Sequence, residues 1–339
     1  MTTQSSVPAM RRSILDRFNR SSLQKFALRR GPIVVILILL GYLATQSPLV
    51  LSSNNIWSSL VQAAPIAVVS FGLALVVMGG GNDAVNGGID LSIPAGAALA
   101  TVIIADQLTN SGTPFILAFV MAAAAAIAIG CVNALLVSRV GLPPILATLG
   151  TYVSVVGISR VVSQNRRINV DDPVILWVRD ADILGVPAPV VLMVILMALV
   201  WLLGHRSALG MRIQASGGGR DAAESAGINV RRTVAYTYVL AGAIAGIAAV
   251  LLLARGSGSS PGIDEQLLVD MVLATFVGAA FSPRNVVTVP GAMLGAVLVA
   301  LLSNALILNR VSNSWVDGWK GVLILVVVIA AAFQTRERK

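Results

Sequence analysis

The sequence predicts an all-α polytopic membrane protein, and three observations support this fold class. Hydrophobic residues make up 56% of the 339 residues and charged residues only 12%. The mean hydropathy is +0.86. Ordinary soluble domains contain about 45–50% apolar and about 25% charged residues. Apolar runs close to the roughly 20 residues that cross a bilayer recur along the whole chain.

Ten apolar segments are predicted to be transmembrane or half-spanning helices. By residue number they are 32–51, 59–78, 93–108, 113–137, 144–162, 188–204, 233–254, 267–281, 289–308 and 316–332. Three of them are short and bounded by Gly or Pro, so a count of eight with re-entrant helices is the alternative. Together they form one membrane domain, 31–335, between a basic N-terminal tail at 1–30 and a C-terminal tail at 336–339.

The net charge of +9 is explained by membrane topology rather than by nucleic-acid binding. Most basic residues lie in the two tails and in the central loop 205–232, and the positive-inside rule places such segments in the cytoplasm. Ten crossings then leave both termini on the cytoplasmic side. The loop 163–185 becomes external although it contains Arg166, Arg167 and Arg179, which is the weakest point of this topology.

Catalytic motifs are scarce in the sequence. It contains no HExxH and no Cys/His metal cluster, and its one cysteine, Cys131, is expected to be a buried packing residue. The Gly-rich stretch ASGGGRDAAES (215–225) lacks the GxxxxGKS/T pattern whose backbone and lysine cradle phosphates. The chain is therefore not expected to be an enzyme, to hold a cofactor or metal, or to hydrolyse ATP itself.

Two stretches of the sequence resemble each other and indicate two related halves. SIPAGAALATVIIA (92–105) is similar to TVPGAMLGAVLVA (288–300), and each follows an apolar segment that ends in glycine. Ser92 and Thr288 are expected to cap the helices that follow, with Pro in the first turn. Chance similarity between apolar sequences is the alternative. Interrupted spans at matching positions of two repeats are a sequence signal for a transport site.

The stretch GGGNDAVNGGIDLSIPAG (79–96) places polar residues beside an apolar span. Backbone groups freed at such a break must face protein or a water-filled cavity, and Asp83 and Asp90 are costly at membrane depth unless hydrated or paired. Asp90 gains from a position beside a helix N-terminus. Polar residues within other spans either line a passage or form interhelical hydrogen bonds. The predicted pathway residues are Asp83, Asn86, Gly87, Gly88, Asp90, Ser92, Asn133, Thr148 and Asn304.

The central loop contains a predicted short helix. RDAAESAGI (220–228) combines Asp221 near a helix start, Ala and Glu within it, and Gly227 as a C-cap. A short helix presented by a long loop is suited to docking a soluble partner. A solvated connector is the alternative.

Three motifs in this order resemble the ribose-type sugar permeases of bacterial ABC importers. They are GGIDLS (87–92), PPILATLG (143–150) and LGMRIQASGGGRDAAESAGINVRR (209–232), and the resemblance covers roughly 59–332. It implies a type II ABC importer-like fold and a permease subunit in the bacterial inner membrane. The implied partners are an identical or homologous second permease, ATP-binding subunits docked beneath, and a periplasmic sugar-binding protein that delivers a monosaccharide.

The resemblance also implies that the central loop is the coupling element that receives the ATPase. The residues concerned are Gly217, Gly218, Gly219, Asp221, Ala223, Glu224, Ser225 and Gly227. Two departures are visible: GNDAVN (81–86) intervenes before GGIDLS, and FVGAAFSPRN (276–285) replaces a glycine-rich break. A stand-alone secondary transporter is the alternative, with Asp83, Asp90 and Asp270 as the candidate ion-coupling carboxylates.

Overall fold

The computed structural model describes residues 31, 33–81 and 87–336, and this part of the chain is mostly helical. Its helices are α1 (Ile33–Gln46), α2 (Ser53–Gly80), α3 (Ile93–Thr109), α4 (Phe115–Leu135), α5 (Pro144–Val162), α6 (Pro173–Asp180), α7 (Ala188–Trp201), α8 (Ala208–Gly218), α9 (Arg220–Ser225), α10 (Val230–Gly256), α11 (Ile263–Ala279), α12 (Val289–Leu308) and α13 (Asn313–Arg336). Single wider turns extend α4 through Leu136–Val140 and α7 through Leu202–Arg206. Four two-residue strands form two small antiparallel ladders, β1 (Ile168–Asn169) with β4 (Gly258–Ser259) and β2 (Asp182–Ile183) with β3 (Val186–Pro187).

Each of the ten predicted segments coincides with a helix, but ten crossings are not confirmed. Among the described residues, six helices are long and apolar enough to span a membrane: α2, α4, α5, α7, α10 and α12, with α4 and α7 counted together with their terminal turns. Helices α1 and α3 are apolar but shorter. Helix α13 continues to Arg336, so the last residue of this helix is the first residue of the predicted C-terminal tail. The basic tail at 1–30 lies outside the described residues.

Helices α2 and α10 form the centre of the bundle. Of the most apolar window of each helix, 83% is buried in α2 and 72% in α10, against 22% in α4 and in α5. The outer helices therefore present most of their apolar surface to the surroundings. Cys131 on α4 belongs to this surface, and the prediction that it is buried is wrong because it lies on the face of α4 turned away from α10.

Helix α10 defines the two ends of the bundle, an inner end where it begins and an outer end where it finishes. Gly79, near the end of α2, packs against Thr237 in the early turns of α10. The break between α2 and α3 is therefore at the inner end. The break between α10 and α11 is at the outer end, where Thr101 of α3 and Ser259 share a hydrogen bond of 3.0 Å.

The helices fall into two halves with the same packing pattern, α2–α5 and α10–α13. Helix α4 packs against α10 as α12 packs against α2, and α3 packs against α5 as α11 packs against α13. The two long helices α2 and α10 contact each other, as do the short helices α3 and α11. Because α2 ends where α10 begins, the halves are inverted. Each half begins with a long helix, a break and a 17-residue helix. At 1.5 Å per residue, this shorter helix spans about 25 Å.

The structure assigns a different correspondence between the halves from the one that sequence similarity indicates. Similarity matches the starts of α3 and α12, whereas packing matches α3 with α11. Both starts have Pro at the second helical position after a break, and this shared constraint accounts for the likeness. Thr288 caps α12 as predicted, accepting from the Gly291 N–H at 3.2 Å. The predicted cap by Ser92 is wrong because its hydroxyl donates to Asp90 instead.

Two of the three arginines that conflict with the positive-inside rule, Arg167 and Arg179, have hydrogen-bond partners at the outer end. The Arg167 guanidinium donates to the carbonyl of Gly256, at the end of α10, and to Ser260 Oγ at 3.0 Å. A cation at a helix C-terminus interacts favourably with the helix dipole. Arg179 donates to Ser257 Oγ at 3.0 Å. Both side chains therefore attach the segment that contains α6 to the break after α10, a role independent of topology.

A buried ion pair joins α11 to α13 and yields a stability prediction. Lys320 Nζ lies 2.7 Å from Asp270 Oδ1, and the two side chains are only 9% and 11% exposed. Lys320→Met leaves a buried carboxylate without this partner, which costs about 3–5 kcal/mol. We expect a correspondingly lower resistance to unfolding, measured as thermal unfolding in detergent.

Two further variants make that measurement specific. Lys320→Met combined with Asp270→Leu removes both charges and is expected to recover most of the loss, since apolar replacements of buried pairs are often neutral. Arg160→Gln breaks the exposed pair with Glu265, whose atoms are 3.5 Å apart, and is expected to cost at most about 1 kcal/mol. Equal losses in Arg160→Gln and Lys320→Met would contradict the assignment.

Candidate functional site

A cavity of about 480 Å³ opens at the inner end of the bundle. The break after α2 contributes Gly87 and Gly88, the turn between α4 and α5 contributes Pro143, and the α8–α9 junction contributes Arg220. Tyr238 of α10 closes one side. Residues from all three of the motifs that carry the family resemblance, far apart in sequence, thus meet at one cavity.

Glycines bring the backbone of the break against the end of α2. A Cβ on Gly88 would lie 2.2 Å from the Val76 carbonyl oxygen, and one on Gly80 would lie 2.3 Å from the Gly88 nitrogen. Since contacts under 3.0 Å force a displacement, a side chain at Gly80 or Gly88 cannot be accommodated without moving backbone. The second glycine of GGIDLS, Gly88, is therefore explained by close packing.

The central loop contacts the same end of α2 through Gly217. A Cβ at this position would lie 2.0 Å from the Met78 carbonyl oxygen and 3.2 Å from the Gly81 nitrogen. Gly218, the next residue, has nothing within 4 Å of the corresponding position. Helix α8, which the sequence did not predict, is therefore in backbone contact with the first residues of the helix break.

A buried hydrogen-bond cluster fixes the junction between the break and α3. Asp90 Oδ1 accepts from the Ser92 N–H at 2.9 Å and from the Ser92 hydroxyl at 2.7 Å. Asn133 of α4 donates its amide to Ser92 Oγ at 2.7 Å and to Asp90 Oδ1 at 3.3 Å. All three side chains are buried. The cluster therefore links α3 to α4, and Asp90 acts as a positioning residue of the break.

Two hydroxyl groups on the cavity wall have no hydrogen-bond partner among the described residues. They are Tyr238 Oη and Ser138 Oγ, and both atoms are buried. Leaving a buried polar group unpaired costs about 1–3 kcal/mol. These hydroxyls are the groups of the cavity best placed to bind a polar molecule, and sequence reasoning missed both because nothing in their segments marks them.

The predicted short helix of the central loop is confirmed as α9. Asp221 lies in its first turn, Ala223 is buried, and Ser225 donates to the Asp221 carbonyl at 2.8 Å. Gly227 has φ +79°, and its N–H donates to the Glu224 carbonyl at 3.0 Å. Together with the 3.0 Å bond from Ile228 N–H to the Ala223 carbonyl, this is a Schellman C-cap, which favours glycine.

The polar surface of α9 is exposed at the inner end. Glu224 forms an exposed ion pair with Arg220 at 3.2 Å. Gly219 connects α8 to α9 in an extended conformation. The helix thus presents a short charged face beside the cavity, whereas its buried residue holds it to the bundle.

Of the predicted pathway residues that the structure describes, Gly87 and Gly88 line the cavity, whereas Asp90, Ser92, Asn133, Thr148 and Asn304 do not. Thr148 is buried and donates to the Pro144 carbonyl of its own helix at 2.8 Å. Asn304 lies in the outer half, where it donates to Ser59 Oγ at 2.8 Å between α12 and α2. Asp83 and Asn86 lie outside the described residues. For Thr148 and Asn304 the structure thus shows internal hydrogen bonding.

A second polar cavity, of about 140 Å³, lies at the outer end. It is lined by the second half of the repeat, with Arg255 of α10 together with Asp270 and Lys320, and by Gln62 of α2. The inner cavity is lined from α2, α5, α8, α9 and α10 and from the turn that extends α4, whereas the outer one is lined from α2, α10, α11, α12 and α13. The long helices of both halves, α2 and α10, thus contribute to a polar cavity at either end.

An apolar bundle with an inverted repeat, two helix breaks and a polar cavity at each end defines the class of membrane transport proteins. The chain belongs to the family described as branched-chain amino acid transport system / permease component, which matches residues 55–332. This confirms the resemblance to transport permeases and makes the chain a multi-pass permease component.

Curated relatives support the same assignment. The ribose import permease protein RbsC of Bacillus subtilis is 28% identical, over 88% of this chain and 91% of the relative. The galactofuranose transporter permease protein YtfT of Escherichia coli K12 is 30% identical, over 79% of this chain and 76% of the relative. The probable ABC transporter permease protein YphD of the same strain is 27% identical, over 93% and 94%. No solved structure matches the chain significantly.

Proposed function

We propose that this chain is the permease subunit of an ATP-driven importer that carries a monosaccharide or a similar hydroxyl-rich solute. The observation that carries the proposal is the convergence of GGIDLS, PPILATLG and the central loop at one cavity. The two relatives named for a cargo transport ribose and galactofuranose. The cavity offers two unpaired hydroxyls and glycine backbone, which suit the hydroxyl groups of a polar cargo. Arg139, Arg220 and Arg231 also line it.

The contact between α8 and α2 provides a route from ATP hydrolysis to the pathway. Helix α9 is the proposed docking point of a separate ATP-binding subunit. Movement of α9 shifts α8, and Gly217 is packed directly on Met78 and Gly81. The displacement therefore reaches the break that borders the cavity. Two inverted halves with a cavity at each end are suited to opening first on one side and then on the other.

The proposed orientation places the inner end in the cytoplasm of a bacterial inner membrane. The arginine-rich loop lies at this end, as the positive-inside rule requires. Helix α13 starts at the outer end and runs toward the inner end, which is consistent with cytoplasmic termini. The outer-end segment around α6 is then the proposed docking surface for a periplasmic sugar-binding protein. A second permease, identical or homologous, completes the proposed membrane unit.

A stand-alone secondary transporter is less well supported by the carboxylates in the structure. Such a transporter needs buried carboxylates free to bind the coupling ion. Asp270 is paired with Lys320, and Asp90 is engaged by Ser92 and Asn133. Asp83 lies outside the described residues. Purified chain that moves solute along an ion gradient without ATP would favour this alternative.

Charge reversal on α9 tests the docking assignment. Glu224→Arg, and separately Gly227→Arg, are expected to reduce co-purification of the ATP-binding subunit and ATP-dependent uptake by at least about tenfold. A like-charge contact at a docking surface costs several kcal/mol, and arginine at Gly227 adds backbone strain. The amount of ATP-binding subunit retained on the tagged permease is the direct measurement.

Glu265→Arg is the matched control for Glu224→Arg. Glu265 is also an exposed glutamate paired with an arginine, but it lies at the outer end. We expect Glu265→Arg to retain the ATP-binding subunit at the wild-type level. Unchanged retention and uptake in both α9 variants would show that α9 is not the coupling helix.

A further inference from the structure

A second groove opens at the inner end, between the last turn of α4 and the first turn of α10. Its volume is about 490 Å³. Leu135 and Ala235 form part of an apolar wall, and Arg139, Arg231 and Arg232 lie at its polar side. The groove is thus amphipathic, with cationic side chains adjoining an apolar surface.

The cationic side of the groove lacks a compensating charge. No acidic residue lines it, and within the described part of the chain none of its three arginines forms an ion pair. Arg231 and Arg232 belong to the first turn of α10, which contains no acidic residue. The helix dipole disfavours cations at an N-terminus and favours anions there. The positive charge of the three arginines and of the N-terminus of α10 therefore favours binding of an anion.

A buried hydroxyl adds a specific donor to this position. Ser138 Oγ belongs to the lining of the groove and has no hydrogen-bond partner among the described residues. A phosphate oxygen can accept from such a hydroxyl and from arginine guanidinium groups, which bind phosphate in bidentate geometry. The polar side of the groove therefore matches a phosphate group in both charge and hydrogen bonding.

The apolar side of the groove continues the outward face of α4. Val132 and Leu135 are 46% and 56% exposed, and only 22% of the most apolar window of the extended α4 is buried. A transmembrane helix with this exposure contacts lipid chains along its length. An anion bound in the groove would therefore be adjoined by apolar surface, which favours a phospholipid over a soluble anion.

We propose that this groove binds an anionic phospholipid, with its phosphate between Arg139, Arg231 and Arg232 and its acyl chains along α4. Basic pockets between membrane helices at the cytoplasmic side are typical binding places for such headgroups. The first turn of α10 follows α9 closely in the chain. A bound headgroup thus stabilises the start of α10 next to the proposed coupling helix. Ser138, Arg139 and Arg231 also line the inner cavity, so the groove adjoins the proposed solute pathway.

The test measures lipid binding to the purified permease complex by native mass spectrometry. The probes are phosphatidylglycerol, phosphatidylcholine and inorganic phosphate. We expect phosphatidylglycerol to bind more tightly than phosphatidylcholine, with an affinity that falls as salt increases. Each of Arg139→Gln and Arg232→Gln is expected to weaken phosphatidylglycerol binding about fivefold, the factor associated with one cation near an anionic lipid. Both side chains are exposed, so the variants are expected to fold.

Arg212→Gln is the matched control, because Arg212 is an exposed arginine of α8 at the same end that does not line the groove. The affinity of the Arg212→Gln variant for phosphatidylglycerol is expected to equal that of the wild type. The proposal is overturned if phosphatidylcholine binds as tightly as phosphatidylglycerol, or if Arg212→Gln lowers the affinity for phosphatidylglycerol as much as Arg139→Gln does. Displacement of the lipid by inorganic phosphate at equal concentration would also overturn it. It is also overturned if the groove variants lose the ATP-binding subunit while lipid binding is unchanged, since the arginines then face a protein.

Discussion

Gly217→Ala is expected to uncouple ATP hydrolysis from transport while leaving the chain in the membrane. The added methyl group would lie 2.0 Å from the Met78 carbonyl oxygen, so α8 has to move away from α2. Overpacking of this kind costs about 1–3 kcal/mol, which corresponds to a roughly 5- to 150-fold loss in the population of the packed state. We expect ATP-dependent uptake to fall within that range, measured in proteoliposomes that contain the whole complex.

Gly218→Ala is the control for this prediction. Gly218 is the next residue of the same helix and has open space where its methyl group would go. Alanine there is neutral or stabilising by up to about 1 kcal/mol, because glycine is a poor helix former. Uptake by Gly218→Ala is expected to match the wild type. Wild-type uptake by Gly217→Ala as well would show that the contact with Met78 does not transmit the motion.

Asp90→Ala is expected to reduce uptake at least about tenfold although the complex still assembles. The substitution removes the common acceptor of the Ser92 N–H, the Ser92 hydroxyl and the Asn133 amide. Each buried donor left unpaired costs about 1–3 kcal/mol, so the start of α3 loses its fixed position beside the cavity. Initial uptake rate and co-purification of the ATP-binding subunit are measured on the same preparation.

Two variants separate the roles of charge and hydrogen bonding at this position. Asp90→Asn keeps an acceptor oxygen for the Ser92 N–H and is expected to retain more uptake than Asp90→Ala. Asp106→Ala removes an aspartate at the other end of α3, where it accepts an exposed hydrogen bond from Asn110, and is expected to behave like wild type. Normal uptake by Asp90→Ala would remove Asp90 from the pathway.

Sequence patterns predicted the helices well because each depends on local composition. All ten apolar segments are helical, and α9 with its Gly227 cap was read from nine residues. Ten crossings are not confirmed, and the short apolar runs that the sequence marked as candidate half-spans became α3 and α11, of 17 residues each. Hydropathy identifies an apolar segment more reliably than it identifies the residues at which the helix begins and ends.

Features that depend on distant parts of the chain were predicted less well. The sequence similarity between α3 and α12 arises from a Pro-containing first turn that both helices share. The packing that makes α3 and α11 equivalent in the two halves leaves no comparable signal in the sequence. The cap assigned to Ser92 failed because Asp90 and Asn133 compete for its hydroxyl. Contact between Gly217 and Met78 depends on how the central loop folds back, which no local pattern specifies.

The central claim is that this chain forms the pathway while a separate subunit supplies the energy. The most direct test is uptake of radiolabelled monosaccharide by proteoliposomes with ATP enclosed, comparing the chain alone with the chain plus its ATP-binding subunit and binding protein. The account predicts uptake only for the complete set, with uptake lost when ATP is omitted. Accumulation by the chain alone, driven by an ion gradient and indifferent to ATP, would contradict it.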